Sequence, residues 1–154
     1  MGKLMKASLL SSLKALRQAG IDCPDAIITG TSLGCWENTE ALLTQIEEEG
    51  EVMLSPTNFM QSTHNTIGSL IAIQLGCHGY NATYSHKGNS FQSALQDAWM
   101  QISLGDIDTA LVGWFDEDFP PVGSSDKAIS VVLTASPEGA MGTYEDLLGT
   151  LLES

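Results

Sequence analysis

The chain has 154 residues, 43% of them hydrophobic, and a formal net charge of −13 from 19 acids against six bases. That length fits one domain, residues 1–154, with a real core, and the acidity argues against nucleic acid and anionic membrane surfaces as partners. No apolar run is long enough to span a membrane and no signal peptide is read at the start.

The first predicted element is a helix over about 4–19, from the spacing of Leu4, Ala7, Leu10, Ser11, Leu13, Lys14 and Arg17, ended by Gly20. Four of the six bases, Lys3, Lys6, Lys14 and Arg17, fall in or beside it. A turn at 22–25 leads to Ala26-Ile27-Ile28-Thr29-Gly30, a short β-branched run expected to form a buried strand. The loop Gly30-Thr31-Ser32-Leu33-Gly34 follows, then a helix over about 37–49 whose acidic end is read as a solvated face.

Ser55-Pro56 predicts a helix start, and a helical pattern runs on to Leu75, with a break near Ser62. Its second part, 63–75, is apolar on nearly every face and is expected to lie buried between the sheet and a further layer. A strand over 81–85, a polar turn over 86–90 and a helix over 91–104 follow. Two more strands are expected at 109–114 and 128–134, separated by an acidic loop over 115–126. A short helix over about 143–152 ends the order, which reads as a layered α/β domain.

Cys23, Cys35 and Cys77 are odd in number, widely spaced and form no C-x-x-C pair, so neither a disulfide framework nor a zinc site is expected. A reduced, cytoplasmic setting follows from that reading. No residue pattern calls for a metal or other cofactor.

Four segments in order carry a family resemblance: Gly30-Thr31-Ser32-Leu33-Gly34, Ser55-Pro56-Thr57-Asn58-Phe59, Asn65 through Gly79, and Ser90 through Glu117 with its run Leu104-Gly105-Asp106-Ile107-Asp108. Together they resemble the amino-terminal domain of β-ketoacyl synthases. The resemblance implies a thiolase-like fold of which this chain is the amino-terminal half, a single mixed sheet flanked by helices. In that family a Cys at a helix amino terminus takes an acyl group from acyl carrier protein, and two His residues in the second half assist condensation. Here the nucleophile position, counted back from Ala94-Leu95, falls on Gly88, which has no side chain to acylate. The histidine-bearing half lies beyond these residues, and no counterpart of the family's first strand precedes the opening helix.

Two readings of the helix start at 90 stand side by side. Ser90 with His86 forms a hydrolytic or acyl-transfer pair, or Asn89 or Ser90 simply caps the helix. His64, Asn65, Asn89 and Phe91 are the positions assigned to binding. Cys77 and Cys35 are read as packing residues, and Asp116-Glu117-Asp118 as a solvated loop. The resemblance implies a ketosynthase-like protein of fatty-acid, polyketide or aryl-polyene-type synthesis, non-catalytic alone. Its expected partner is a ketosynthase-like chain, in the manner of a chain-length factor, with acyl carrier protein met only indirectly. A homodimeric interaction module is the other non-enzymatic reading.

Overall fold

The computed structural model describes residues 2–32, 36–50, 64–85, 89–116 and 127–153. Its elements, in chain order, are α1 (Lys3–Ala19), β1 (Ala26–Gly30), α2 (Trp36–Glu49), α3 (Thr66–Leu75), β2 (Tyr80–Tyr84), α4 (Ser90–Ser103), β3 (Thr109–Asp116), β4 (Lys127–Thr134) and α5 (Tyr144–Glu153). The expected helix start at Ser55-Pro56 and the turn residues 86–88 lie outside the described residues. Among those described, no helix is long and apolar enough to cross a membrane.

The strands form one mixed sheet in the order β2-β1-β3-β4. β1 runs parallel to β2 and β3, while β4 is antiparallel to β3. Residues alternate faces along each strand. Ile27 and Leu111 join Leu4, Met5, Leu16, Ile67 and Ile71 in a core under α1 and α3. Ile28 and Val112 join Phe91, Ala94, Leu95 and Ala98 in a second core under α4. All of β1 is buried, because helices cover both faces of the sheet. That double burial is why 26–30 reads as a continuous apolar run rather than an alternating one.

Small residues let the layers approach. Ser8 and Ser12 of α1 are fully buried, and their hydroxyls donate to the carbonyls of Leu4 (2.7 Å) and Ser8 (2.8 Å). Each hydroxyl is thereby satisfied within the helix, and Ser12 Oγ also lies 3.2 Å from Ser130 Oγ of β4. α1 and α3 both stop at a glycine in the left-handed region, Gly20 (φ 70°) and Gly76 (φ 67°), where a side chain would be strained. α5 begins with a reciprocal cap: Thr143 N donates to Asp146 Oδ2 (2.9 Å) and Asp146 N donates to Thr143 Oγ1 (3.2 Å). Its Tyr144 stacks on Trp99 of α4.

Three expectations need correction. α3 is not buried all round: Ile67, Gly68 and Ile71 face the core, whereas Ile73 is 75% exposed, since nothing in this chain covers its outer side among the described residues. Cys23 and Cys77 are paired as a disulfide, their Cα atoms 5.9 Å apart. The register that sets Ala26 beside Tyr80 brings the turns before β1 and β2 together, which sequence spacing hides. Finally, β3 runs through Asp116, so this carboxylate belongs to a strand end and not to a solvated loop.

α4 is braced to β2 by a polar seam. Tyr80 and Tyr84 both donate their hydroxyls to Asp97 Oδ2 (3.0 and 2.9 Å), and Gln101 donates to Asp97 Oδ1 (2.7 Å). Burial, and then the Asp97 carboxylate, push the Tyr84 phenol up to about 12. A folded-state pKa above the unfolded value contributes stability below the unfolded pKa and loses it as pH rises through the folded one. Stability therefore falls between about pH 10 and about pH 12, and denaturant midpoints measured across that range decline less in Tyr84→Phe. In the core itself, Leu95 is 0% exposed among well-packed neighbours. Leu95→Ala is expected to lower the unfolding free energy by about 3 kcal/mol, read from urea titrations of both proteins.

Candidate functional site

The carboxyl ends of β1, β2 and β3 meet the amino-terminal end of α4. This is the edge of an α/β sheet where ligands and chemistry usually sit, and the helix end offers free N–H groups and a positive dipole. The approach is close because β1 ends in glycine. A Cβ at Gly30 would stand 2.6 Å from the carbonyl carbon and oxygen of Ser90 and 2.7 Å from Phe91 N. No side chain fits there.

Past Gly30 the chain is stitched to its neighbours. Thr31 N donates to the Tyr84 carbonyl (3.0 Å), continuing the β1–β2 ladder by one residue. Ser90 Oγ donates to the Thr31 carbonyl (3.0 Å). Asp116, 9% exposed, accepts at Oδ1 from Thr31 Oγ1 (2.8 Å) and from Ser32 N (2.7 Å). Its Oδ2 accepts from Trp114 Nε1 (2.8 Å). Trp114 in turn stacks on Phe91 with ring centroids 5.7 Å apart, and the Lys127 ammonium sits 4.1 Å from the Trp114 ring centroid, a cation–π contact.

Chemically this is a clamp. A carboxylate offers lone pairs only, and these accept donors from β1's extension and from β3. Ser90, 1% exposed, directs its hydroxyl at a backbone carbonyl. A nucleophilic hydroxyl needs access to substrate and a base in reach. The geometry instead makes Ser90 a tie between α4 and the β1 loop. His86 and Gly88 lie outside the described residues.

The other expected site residues separate into two groups. Phe91 belongs to the clamp, but as a buried side chain (4% exposed) packed in the α4 core. Asn89 is exposed and precedes the helix without a side-chain cap bond, so neither it nor Ser90 caps α4 in the expected way. His64 and Asn65 are exposed on the turn entering α3, where Asn65 likewise makes no side-chain cap bond. They take no part in the clamp. A groove of about 700 Å³ between β4, the end of α1 and α5 lies elsewhere, and none of the expected site residues lines it. Among the described residues no group of His, Cys, Asp or Glu could hold a metal ion.

Thr31 and Trp114 were not assigned a role from the sequence, and Asp116 was read only as part of a solvated loop. The available signal was an acid closing an apolar strand in Leu111-Val112-Gly113-Trp114-Phe115-Asp116. Its partner is 85 residues earlier in the chain, beyond the reach of any local pattern.

Solved structures share this architecture. One is a ketosynthase in complex with its chain length factor from Xenorhabdus doucetiae, with TM-score 0.72 and 22% identity over 86% of this chain and 57% of that chain. Another is a β-ketoacyl synthase from Burkholderia phymatum STM815, with TM-score 0.67 and 22% identity over 79% of this chain and 31% of that one. A third is the ishigamide ketosynthase/chain length factor, with TM-score 0.66 and 18% identity over 86% and 42%. At these identities the likeness is one of fold, and this chain spans 57% or less of each. No curated protein matches the sequence. The single mixed sheet flanked by helices is the amino-terminal half of the thiolase-like fold of those ketosynthases. The β-ketoacyl synthase N-terminal domain matches residues 1–129, and the chain belongs to that family.

Proposed function

We propose that this chain is a ketosynthase-like partner subunit, non-catalytic alone and chain-length-factor-like, in fatty-acid, polyketide or aryl-polyene-type synthesis. The observation that carries the reading is the clamp at the start of α4. Where the family places its nucleophile this sequence has Gly88, and the nearest hydroxyl, Ser90, is buried and bonded to the Thr31 carbonyl. The hydroxyl at the start of α4 is instead used to tie the helix to the sheet edge.

A partner surface is available on the other flank. Among the described residues β2 pairs with β1 alone, so its outer edge presents unpaired backbone groups, a template for another strand. Beside it Tyr80 is 45% and Ile73 of α3 is 75% exposed. An edge strand and an apolar helix face side by side suit a ketosynthase chain that supplies the catalytic Cys. The strongly negative surface beyond α1 disfavours direct docking of an acidic carrier protein, which leaves that contact to the partner. Among the described residues, the burial of Ser90 and its bond to the Thr31 carbonyl do not favour the Ser90–His86 enzyme.

Co-expression with the Cys-bearing ketosynthases of the same genome, followed by purification in high salt, is expected to give a stoichiometric complex. Ile73→Lys is expected to weaken it at least roughly tenfold while leaving the fold intact, as for loss of a buried anchor. Failure to form any such complex overturns the proposal. Acyl-thioester labelling of the complex is expected on the ketosynthase chain only. Labelling of this chain that disappears in Ser90→Ala would instead establish the enzyme. Asp116→Asn puts an amide donor against the Trp114 N–H, so it is expected to cost about 2 kcal/mol of stability, measured by chemical denaturation, with product formation by the folded complex unchanged.

A further inference from the structure

The stretch that joins α3 to β2 is thinly held. From Ala72 through Ser85 only Cys77 is buried, at 8% exposure, in the core under α1 and α3. Around it Ile73, Gln74, Gly76, His78 and Gly79 are all exposed. The Cys77 N–H donates to the Ala72 carbonyl (2.9 Å), part of the left-handed turn that ends α3 at Gly76. Beyond that turn and the buried sulfur, this end is held by the bond to Cys23.

The two sulfurs sit in unlike surroundings. Cys77 is rooted in the core, whereas Cys23 is exposed on the turn between α1 and β1. That turn is secured without the disulfide. Asp25 N donates to Thr109 Oγ1 (3.0 Å), and Asp25 Oδ2 accepts from Asp108 N (2.9 Å) and Thr109 N (3.2 Å). β2 likewise keeps its ladder with β1 and its tyrosine seam to Asp97. Opening the bond therefore frees residues 72–79 and leaves the sheet standing.

We infer that Cys23–Cys77 is a reversible redox latch on the end of α3, worked by exchange with small-molecule thiols and disulfides. Access decides which sulfur is attacked. A small thiolate bonds to Cys23 Sγ, the Cys23–Cys77 bond breaks, and its electron pair leaves on Cys77 Sγ, which takes a proton from solvent. A second small thiolate then attacks the small molecule's own sulfur in the mixed disulfide, and Cys23 leaves as a thiolate that is protonated in turn. Two small thiols are oxidised to one disulfide, and the protein gains two electrons and two protons. The reverse sequence, started by a small-molecule disulfide, closes the latch. In the open form Cys77 is a neutral thiol, which an apolar core accepts as a small hydrophobe. In the closed form the bond spans 54 residues of sequence and restrains a long loop. The latch does not depend on the proposed partner role, although Ile73 rides on the stretch that it releases.

The test is hydrogen exchange read by mass spectrometry on the full chain, equilibrated in glutathione buffers of differing reduced-to-oxidised ratio. Alkylation and peptide mapping follow the pair separately from Cys35. The pair is expected to pass from disulfide to dithiol and back across the ratios, with the transient glutathione adduct on Cys23. Amides of residues 73–79 are expected to exchange at least roughly tenfold faster in the dithiol form, while those of α4 are unchanged. Cys23→Ser alters an exposed position and is expected to exchange fast in every buffer. A pair that stays in one state at all ratios overturns the inference, as does a glutathione adduct on Cys77. So does equal exchange of 73–79 in the two forms, or a loss of protection throughout the sheet, which would make the bond a staple of the whole fold.

Discussion

The approach of α4 to the last residue of β1 is the constraint on which the sheet's functional edge depends. With no Cβ at Gly30, the first helical turn sits directly on the strand end, its Ser90 and Phe91 backbone in the space a side chain would take. From that contact the other ties follow. Ser90 reaches the Thr31 carbonyl, Phe91 reaches Trp114, and Trp114 and Thr31 both reach Asp116. The carboxylate joins two strands at their ends, where neighbouring ladder bonds run out. A buried carboxylate is tolerable only when its lone pairs are used, and here they hold the edge in one conformation.

The two faces of the sheet are finished differently. On one, α4 packs small residues, Ala94 and Ala98, against Ala26 and Ala110, and α5 adds Tyr144 and Leu147 at its margin. On the other, α1 covers β3 and β4, while α3 reaches β1 and β2 with only part of its apolar surface. α3 is therefore more hydrophobic than the described residues bury. That excess and the unpaired edge of β2 lie together, and it is their adjacency that gives the partner reading its physical content.

Much of the fold was legible in the sequence because it is local. Gly20 and Gly76 mark helix ends through backbone freedom alone, and the runs 26–30 and 109–114 announce strands buried on both faces. What was not legible depends on register. Asp116 reads as the start of an acidic loop until β3 is seen to run through it beside Lys127, and Thr31 becomes its donor only because β1 and β3 are neighbours. Cys23 and Cys77 look unrelated at a separation of 54 residues, yet the same parallel pairing places their turns side by side. The burial of 63–75 was over-read for a related reason: composition tells how apolar a helix is, and topology decides how many layers exist to cover it.

The ties that secure the edge rest on residues other than a nucleophile. Among the described residues Thr31, Ser90, Phe91, Trp114 and Asp116 form the clamp. Neither Asp116 nor Gly30 can be replaced without removing a tie or meeting the α4 backbone. Selection on stability alone would keep the clamp. In the proposed partner role, specificity would reside in the edge backbone of β2, exposed apolar side chains and the uneven placement of charge.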